Sequence, residues 1–320
     1  MGLGSRREDG GLRLRHGALS SSSNVTPVTN SAHGAAGIEG KAALITGGGS
    51  GIGLGCAERF AAEGAHVTIC GRSEERLAAA VEQISSVAAD GVTVASIATD
   101  VTDEAQVVAA VAKACEPTGG LDIVLASAGG SLTVGPVHSI DADLWRQTID
   151  LNLTGTFLTM KHAAPVMVRG GGGSFIAISS IAGSLTHRWF GAYGPAKAGI
   201  EQLVAMAADE LGPSNVRVNA IAPGIVDTEL MGAVTAGSPV LDDYLAQMPI
   251  SRVGTVEDCA GAALFFAGPD STWVTGQTLQ VDGGHSLRRG PDFSSFFEPL
   301  FGAEGLRGVV EAAGEESSHG

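Results

Sequence analysis

Residues 42–53 read Ala-Ala-Leu-Ile-Thr-Gly-Gly-Gly-Ser-Gly-Ile-Gly, and this stretch decides the fold. A short apolar run gives way at Thr46 to glycines, and from residue 51 to residue 63 apolar side chains recur at helical spacing. Gly47, Gly49, Gly51 and Gly53, with Ser50 and Ile52 among them, therefore form a turn between a strand and a helix. Glycines let that turn be tight and let an anion approach the backbone, where free N–H groups and the helix dipole favour negative charge.

Working outward, the same alternation repeats. Short runs rich in Val, Ile and Leu at 42–46, 66–70, 92–98, 121–126, 174–179, 216–221 and 278–281 read as buried strands. Helical spacing fills 51–63, 73–87, 104–115, a long stretch at 141–167, and 192–211. Gly64 stands where a left-handed cap is wanted, and Ser73 followed by Glu74 and Glu75 sets a cap and two anions at a helix's positive end. Strand, helix, strand in this order gives a doubly wound parallel sheet of about seven strands with helices on both faces. Residues 39–287 are expected to form one domain. Residues 1–38, rich in Gly, Ser, Asn and Arg, read as a disordered leader, and residues 288–320 as an extension that is Phe-rich and then flexible.

Composition narrows the function. A net charge of −15 over 320 residues argues against nucleic acid or an anionic membrane as partner. No apolar run approaches the roughly 18 residues of a membrane span. The four cysteines, Cys56, Cys70, Cys115 and Cys259, have neither C-x-x-C spacing nor a histidine at metal-ligand distance, so no disulfide framework and no metal site are expected, and a reduced cytoplasm fits best.

Two groups of residues carry chemistry. The second strand ends Ile69-Cys70-Gly71-Arg72-Ser73, without the carboxylate that holds an NAD ribose. Arg72 can fork onto a 2′-phosphate instead, which favours NADP(H), with NAD(H) possible if Glu74 or Glu75 contacts the ribose. At the other end, Tyr193 and Lys197 are four apart and share a helix face. An ammonium beside the phenol favours phenolate and should lower its pKa, while the phenol can still give a proton to a developing alkoxide. Ser179 and Ser180 close the fifth strand toward the same crevice, where a hydroxyl can hold a carbonyl oxygen.

Thr46-Gly47-x-x-x-Gly51-x-Gly53, Ser180, Tyr193-x-x-x-Lys197 and Pro223-Gly224-Ile225-Val226-Asp227-Thr228, in this order, resemble the short-chain dehydrogenase/reductase family with its Rossmann fold. The resemblance runs from about Glu39 to Leu287. It implies Tyr193 as general acid/base, Ser180 as the residue that orients substrate, and Lys197 as the group that holds the nicotinamide ribose and depresses the tyrosine pKa. It further gives Asn152 a water beside the lysine, Asp100 and Val101 the adenine, Ala128 and Gly129 a place against the cofactor, and Pro223, Gly224, Val226 and Thr228 the nicotinamide end. A homotetramer or dimer is implied on the same ground. One departure stands out: the family's Asn-Asn-Ala-Gly is Ala126-Ser127-Ala128-Gly129 here, so both amides that tie down the strand end are gone and Ser127 restores only part of their hydrogen bonding. Pro195 is compatible with a first helical turn.

Two loop-like segments, 183–191 and 230–252, should shape the substrate site, and Leu185, Trp189, Phe190, Met231, Leu241, Tyr244, Leu245 and Met248 offer an apolar wall. A medium-sized, largely uncharged carbonyl or alcohol follows, unless His187 and Arg188 receive a polar or acidic group. Beyond the domain, Phe293, Phe296, Phe297 and Phe301 are four of the chain's ten phenylalanines; they should cover the substrate entrance, meet a neighbouring subunit or pack on their own domain, and Pro299 argues against one uninterrupted helix there. Two rival functions share the motifs: a 3-oxoacyl thioester reductase (carrier protein or coenzyme A), and a non-catalytic NADP(H)-binding sensor.

Overall fold

The computed structural model describes residues 37–287 and 292–308. Residues 1–36 of the expected leader and 309–320 of the extension lie outside the described residues. Ile38, placed in the leader by sequence, is buried against the core.

Seven parallel strands, β1 Ala42–Thr46, β2 His66–Gly71, β3 Val94–Ala98, β4 Ile123–Ala126, β5 Gly173–Ile178, β6 Val216–Pro223 and β7 Thr278–Val281, form one sheet in the order β3-β2-β1-β4-β5-β6-β7. The helices between them are α1 Gly51–Ala62, α2 Glu74–Val87, α3 Glu104–Cys115, α4 Ala142–Ile149, α5 Gly155–Arg169, α6 Tyr193–Leu211, α7 Gly232–Thr235, α8 Pro239–Gln247 and α9 Val256–Ala267. Alternate strand residues serve opposite faces, as the pleat requires. Ala43, Ile45, Ile69, Leu125 and Ile176 pack with α1, α2 and α9, while Leu44, Val124, Phe175 and Ala177 pack with α3, α5 and α6. Covered on both sides, the strands need no polar alternation, which is why they appear in sequence as continuous apolar runs.

From β1 the chain winds outward to β3, then crosses back to β4 and winds the other way. The strand order therefore reverses between β1 and β4, and a crevice opens at their carboxyl ends. The end of β4, where the family's two amides are missing, is held at this point. The Thr46 hydroxyl accepts from the backbone N–H groups of both Ser127 and Ala128, at 3.1 Å each, and ties the end of β4 to β1.

Three segments differ from the sequence expectation. The long stretch at 141–167 is two helices, α4 and α5, joined by a π-turn over Asp150–Thr154. The segment 230–252 is not a plain loop: it holds α7 and α8, and Ser238 caps α8 by accepting from Leu241 N at 3.1 Å, with Pro239 in its first turn. The helix α9 has no counterpart in the sequence reading, because Val-Glu-Asp-Cys-Ala-Gly-Ala-Ala-Leu-Phe-Phe-Ala is apolar or small almost all round and shows no stripe. Its start is fixed by a capping box between Thr255 and Asp258.

The extension forms α10 Ser294–Leu306. As expected it is not one uninterrupted helix, but the break falls at Gly302, whose φ is 68°, and not at Pro299. Pro299 is the sixth residue of α10, past the first turn, so its missing N–H gives up the bond to the Ser295 carbonyl. Phe293 and Phe297 are buried in a satellite core with Tyr244 and Met248, and Phe301 lies on the backbone of Gly135. Trp189 Nε1 donates to Ser294 Oγ at 3.3 Å, and Asp292 N donates to Asp243 Oδ2 at 2.7 Å, so the segment is tied to both substrate-side segments.

Candidate active site

At the reversal point a cleft of about 310 Å³ is lined by Gly47, Gly49 and Ser50 from the glycine turn, Arg72 after β2, Asp100 and Val101 after β3, and Ala128 and Gly129 after β4. Gly47 has φ +68°, and a Cβ there would stand 2.8 Å from Ala128 N. A Cβ at Gly53 would overlap the Gly47 carbonyl, so Gly53 serves the contact of helix and turn and lines neither this cleft nor the neighbouring cavity. A dinucleotide fits this donor set: a side-chain-free turn at a helix N-terminus for the pyrophosphate, and a basic margin at the far end. That margin holds a residue that sequence reading missed. Arg76, one turn beyond Arg72, lines the same cleft and pairs with Glu229 at 2.8 Å. The repeated arginine at a four-residue interval was the available signal. Asp100 is fixed by Thr102, whose N–H and hydroxyl donate to it at 2.9 and 2.7 Å; these bonds, with Arg72 nearby, hold its carboxyl below the usual range.

The other predicted groups converge beside the cleft. Tyr193 opens α6 and Lys197 follows one turn on, its Nζ 5.4 Å from the centre of the phenol ring. Lys197 Nζ donates to the Ile178 carbonyl at 2.8 Å. Ser180, at the end of β5, caps a short 3₁₀ turn by accepting from Ala182 N at 3.1 Å and hydrogen-bonds the Tyr193 phenol. Its neighbour Ser179 turns away, donating to Glu201 Oε1 at 2.9 Å. Burial pushes the Lys197 ammonium down to about 8. For Tyr193 the direction expected from the lysine is corrected: burial raises the phenol above its ordinary value, and the Ser180 bond offsets this only in part.

Asn152 sits inside the π-turn, fully buried. Its Oδ1 accepts from Gly130 N at 3.1 Å, and its Nδ2 donates to the carbonyls of Gly130 and Thr148 at 2.7 and 2.8 Å. A Cβ on Gly129 would lie 2.6 Å from Asn152 Oδ1 and 3.3 Å from Lys197 Nζ. Asn152 and Lys197 thus flank the backbone after β4 from behind, and neither lines the open cleft.

A second cavity, of about 330 Å³, takes in Ser180 and Tyr193 together with Ile52, Pro223, Gly224, Val226 and Thr228. Phe190, Met231, Phe293, Phe296 and Phe297 supply its apolar wall. The Phe-rich extension is therefore part of this wall, and neither Trp189 nor Arg188 lines it. No Lys, Arg, Asp or Glu is among the described residues that line it. Sequence does not distinguish among the three surfaces on which the extension could fold back, because its phenylalanines fit any apolar surface equally well.

A family model described as enoyl-(acyl carrier protein) reductase matches residues 47–286. Trans-4-hydroxycyclohexanecarboxylate dehydrogenase of Sinomonas cyclohexanicum is 38% identical over 249 residues, covering 77% of this chain and 93% of that protein. Among solved structures, a short-chain type dehydrogenase/reductase from Mycobacterium ulcerans superposes with a TM-score of 0.84 at 48% identity, covering 85% of this chain and 99% of that one. A 7α-hydroxysteroid dehydrogenase complexed with NADH and 7-oxo glycochenodeoxycholic acid gives 0.72 at 33% identity, covering 77% and 94%. With the fold, the order of motifs and these matches in agreement, the chain belongs to the short-chain dehydrogenase/reductase family of oxidoreductases.

Proposed function

We propose that the protein transfers a hydride between NADP(H) and a medium-sized, uncharged ring alcohol or ketone, with Tyr193 as general acid and base. The observation that carries this reading is the meeting of Ser180 and Tyr193 at an apolar cavity, with Lys197 buried beside the phenol ring, next to a side-chain-free phosphate turn. When bound, the nicotinamide supplies or accepts the hydride. Tyr193 gives its phenolic proton to the carbonyl oxygen in reduction and takes it back in oxidation. Ser180 holds that oxygen beside the phenol, and the Lys197 ammonium favours the phenolate left behind. Asn152 keeps the strand end in place through Gly130, and Phe293, Phe296 and Phe297 keep water from the reacting carbon.

The cavity lies at the lower end of the roughly 300–1,000 Å³ usual for ligand sites, which suits a single substituted ring. Two of the relatives are named for a ring hydroxyl. The absence of charged lining among the described residues favours neutral substrates over the carboxylate in the Sinomonas enzyme's name. Arg72 and Arg76 on one margin support NADP(H), although the steroid dehydrogenase was solved with NADH. We assign Pro223, Gly224, Val226, Thr228 and Ile52 to the nicotinamide end and Gly47, Gly49, Ser50, Gly51, Ala128, Gly129, Asp100 and Val101 to the rest of the cofactor.

The test is turnover of cyclohexanone and its substituted relatives with NADPH and NADH, followed at the nicotinamide absorbance. NADPH should be preferred at least about ten-fold in kcat/KM, the worth of a charge-assisted bond to a 2′-phosphate. Preference for NADH overturns the cofactor assignment. The carrier-protein name of the matching family model favours one second reading, reduction of a 3-oxoacyl thioester. Acetoacetyl-CoA reduced faster than every ring ketone would replace the first reading by it.

A further inference from the structure

Two polar groups of the substrate cavity have no part in hydride transfer. His187 and Tyr244 both line it, with ring centres 6.4 Å apart. Nδ1 of His187 lies 3.1 Å from the Leu185 carbonyl. A carbonyl only accepts, so Nδ1 carries the proton and Nε2 of the neutral ring presents a bare lone pair. Among the described residues neither Nε2 of His187 nor the Tyr244 hydroxyl has a hydrogen-bond partner, and neither atom is sealed in protein. Burial, with His285 nearby, lowers the imidazole pKa, and burial raises the Tyr244 phenol, so both groups are uncharged near neutrality. Phe190 touches both His187 and the reacting end, its ring centre 5.9 Å from that of Tyr193 and 5.9 Å from that of His187.

Resting on the function proposed above, we propose that His187 Nε2 and the Tyr244 hydroxyl recognise a second hydroxyl on the substrate, across the ring from the carbon that exchanges hydride. The chemistry selects that group. A hydroxyl donates to Nε2 and accepts from the Tyr244 O–H, which satisfies both cavity atoms at once. A second ketone accepts from Tyr244 alone and leaves Nε2 unmatched. A carboxylate sets its lone pairs against that of Nε2 and finds no cation among the described lining residues. The substrate class is thus a hydroxyketone and the matching diol, and the two groups are specificity-determining residues that leave the hydride step itself untouched.

The test uses dead-end complexes, in which the full-length protein holds NADPH and an alcohol that cannot react with it. Calorimetry compares cyclohexanol, trans-1,4-cyclohexanediol and trans-4-hydroxycyclohexanecarboxylate. The diol should bind about ten-fold more tightly than cyclohexanol, the size of one well-made hydrogen bond, and the carboxylate more weakly than the diol. His187→Phe, which keeps a ring and removes the lone pair, should bring the diol down to cyclohexanol while leaving cyclohexanol and NADPH binding as they were. His187→Gln, whose side-chain oxygen accepts, should recover part of the difference. Equal binding of diol and cyclohexanol by the unaltered protein, no diol binding, tighter carboxylate binding, or a His187→Phe loss shared by both alcohols overturns the proposal. Because no turnover is needed, a protein that discriminates the diol through His187 yet reduces no ketone fails only the proposed function.

Discussion

Thr46→Val is the substitution that asks most of the structure. Valine keeps the shape and the strand preference of threonine but removes the acceptor to which Ser127 N and Ala128 N donate, each at 3.1 Å. Thr46 is almost completely buried, so water cannot simply replace the hydroxyl. Each stranded backbone N–H costs about 1–3 kcal/mol, and with the cleft offering some relief at Ala128 the pair should cost about 2 kcal/mol. For a domain of this size that is a fall of roughly 4–8 °C in Tm. The loss should reach function, because Ala128 and Gly129 follow the freed strand end and line the cofactor cleft. Urea unfolding and NADPH titration by nicotinamide fluorescence measure both effects. Thr46→Ser, which keeps the oxygen, should retain most of the stability and of the affinity. If Thr46→Val and Thr46→Ser behave alike, the hydroxyl is not what anchors the end of β4.

Gly129→Ala should fail at the same wall from the other side. Its methyl would sit 2.6 Å from Asn152 Oδ1 and 3.3 Å from Lys197 Nζ, an overpacking that costs about 1–3 kcal/mol and displaces the Asn152 amide; thermal melts and NADPH binding read it, and a variant with unaltered binding contradicts the packing. Lys197 makes a prediction about pH. Its pKa falls from an ordinary 10.5 to about 8 on folding, so between those values the unfolded chain holds the extra proton and stability rises with pH. Lys197→Met should therefore lose ground relative to the unaltered, cofactor-free protein as pH climbs from 8 toward 10 in matched urea titrations, and a difference that shrinks over that window refutes the assignment.

Much of this site is legible in the sequence, for identifiable reasons. The sheet could be read because strands buried on both faces are plain apolar runs, and the pairing Tyr193 with Lys197 could be read because a helix repeats on one face every four residues. Arg76 was within reach by the same rule. Other features left no trace. The π-turn that buries Asn152 adds a residue to a helix without changing its composition. The helix α9 lacks an amphipathic stripe because its exposed face, Glu257, Gly261 and Phe265, is mostly small or apolar like its buried one. The tie from Thr46 to β4 joins residues 81 and 82 positions apart, and the direction of the Tyr193 pKa depends on how deeply the phenol is desolvated, which no spacing reveals. Nor does an aromatic cluster such as Phe293 to Phe301 say which apolar surface it will choose.

In the proposed reaction Tyr193 moves the proton that accompanies hydride transfer. Single-turnover oxidation of bound NADPH by a saturating ring ketone, compared between the unaltered protein and Tyr193→Phe, tests it most directly, with NADPH affinity measured on the same samples. The rate should be at least about a hundred-fold slower in Tyr193→Phe, with NADPH held as tightly as before. A variant that keeps its rate, or that loses it only because NADPH no longer binds, contradicts that role.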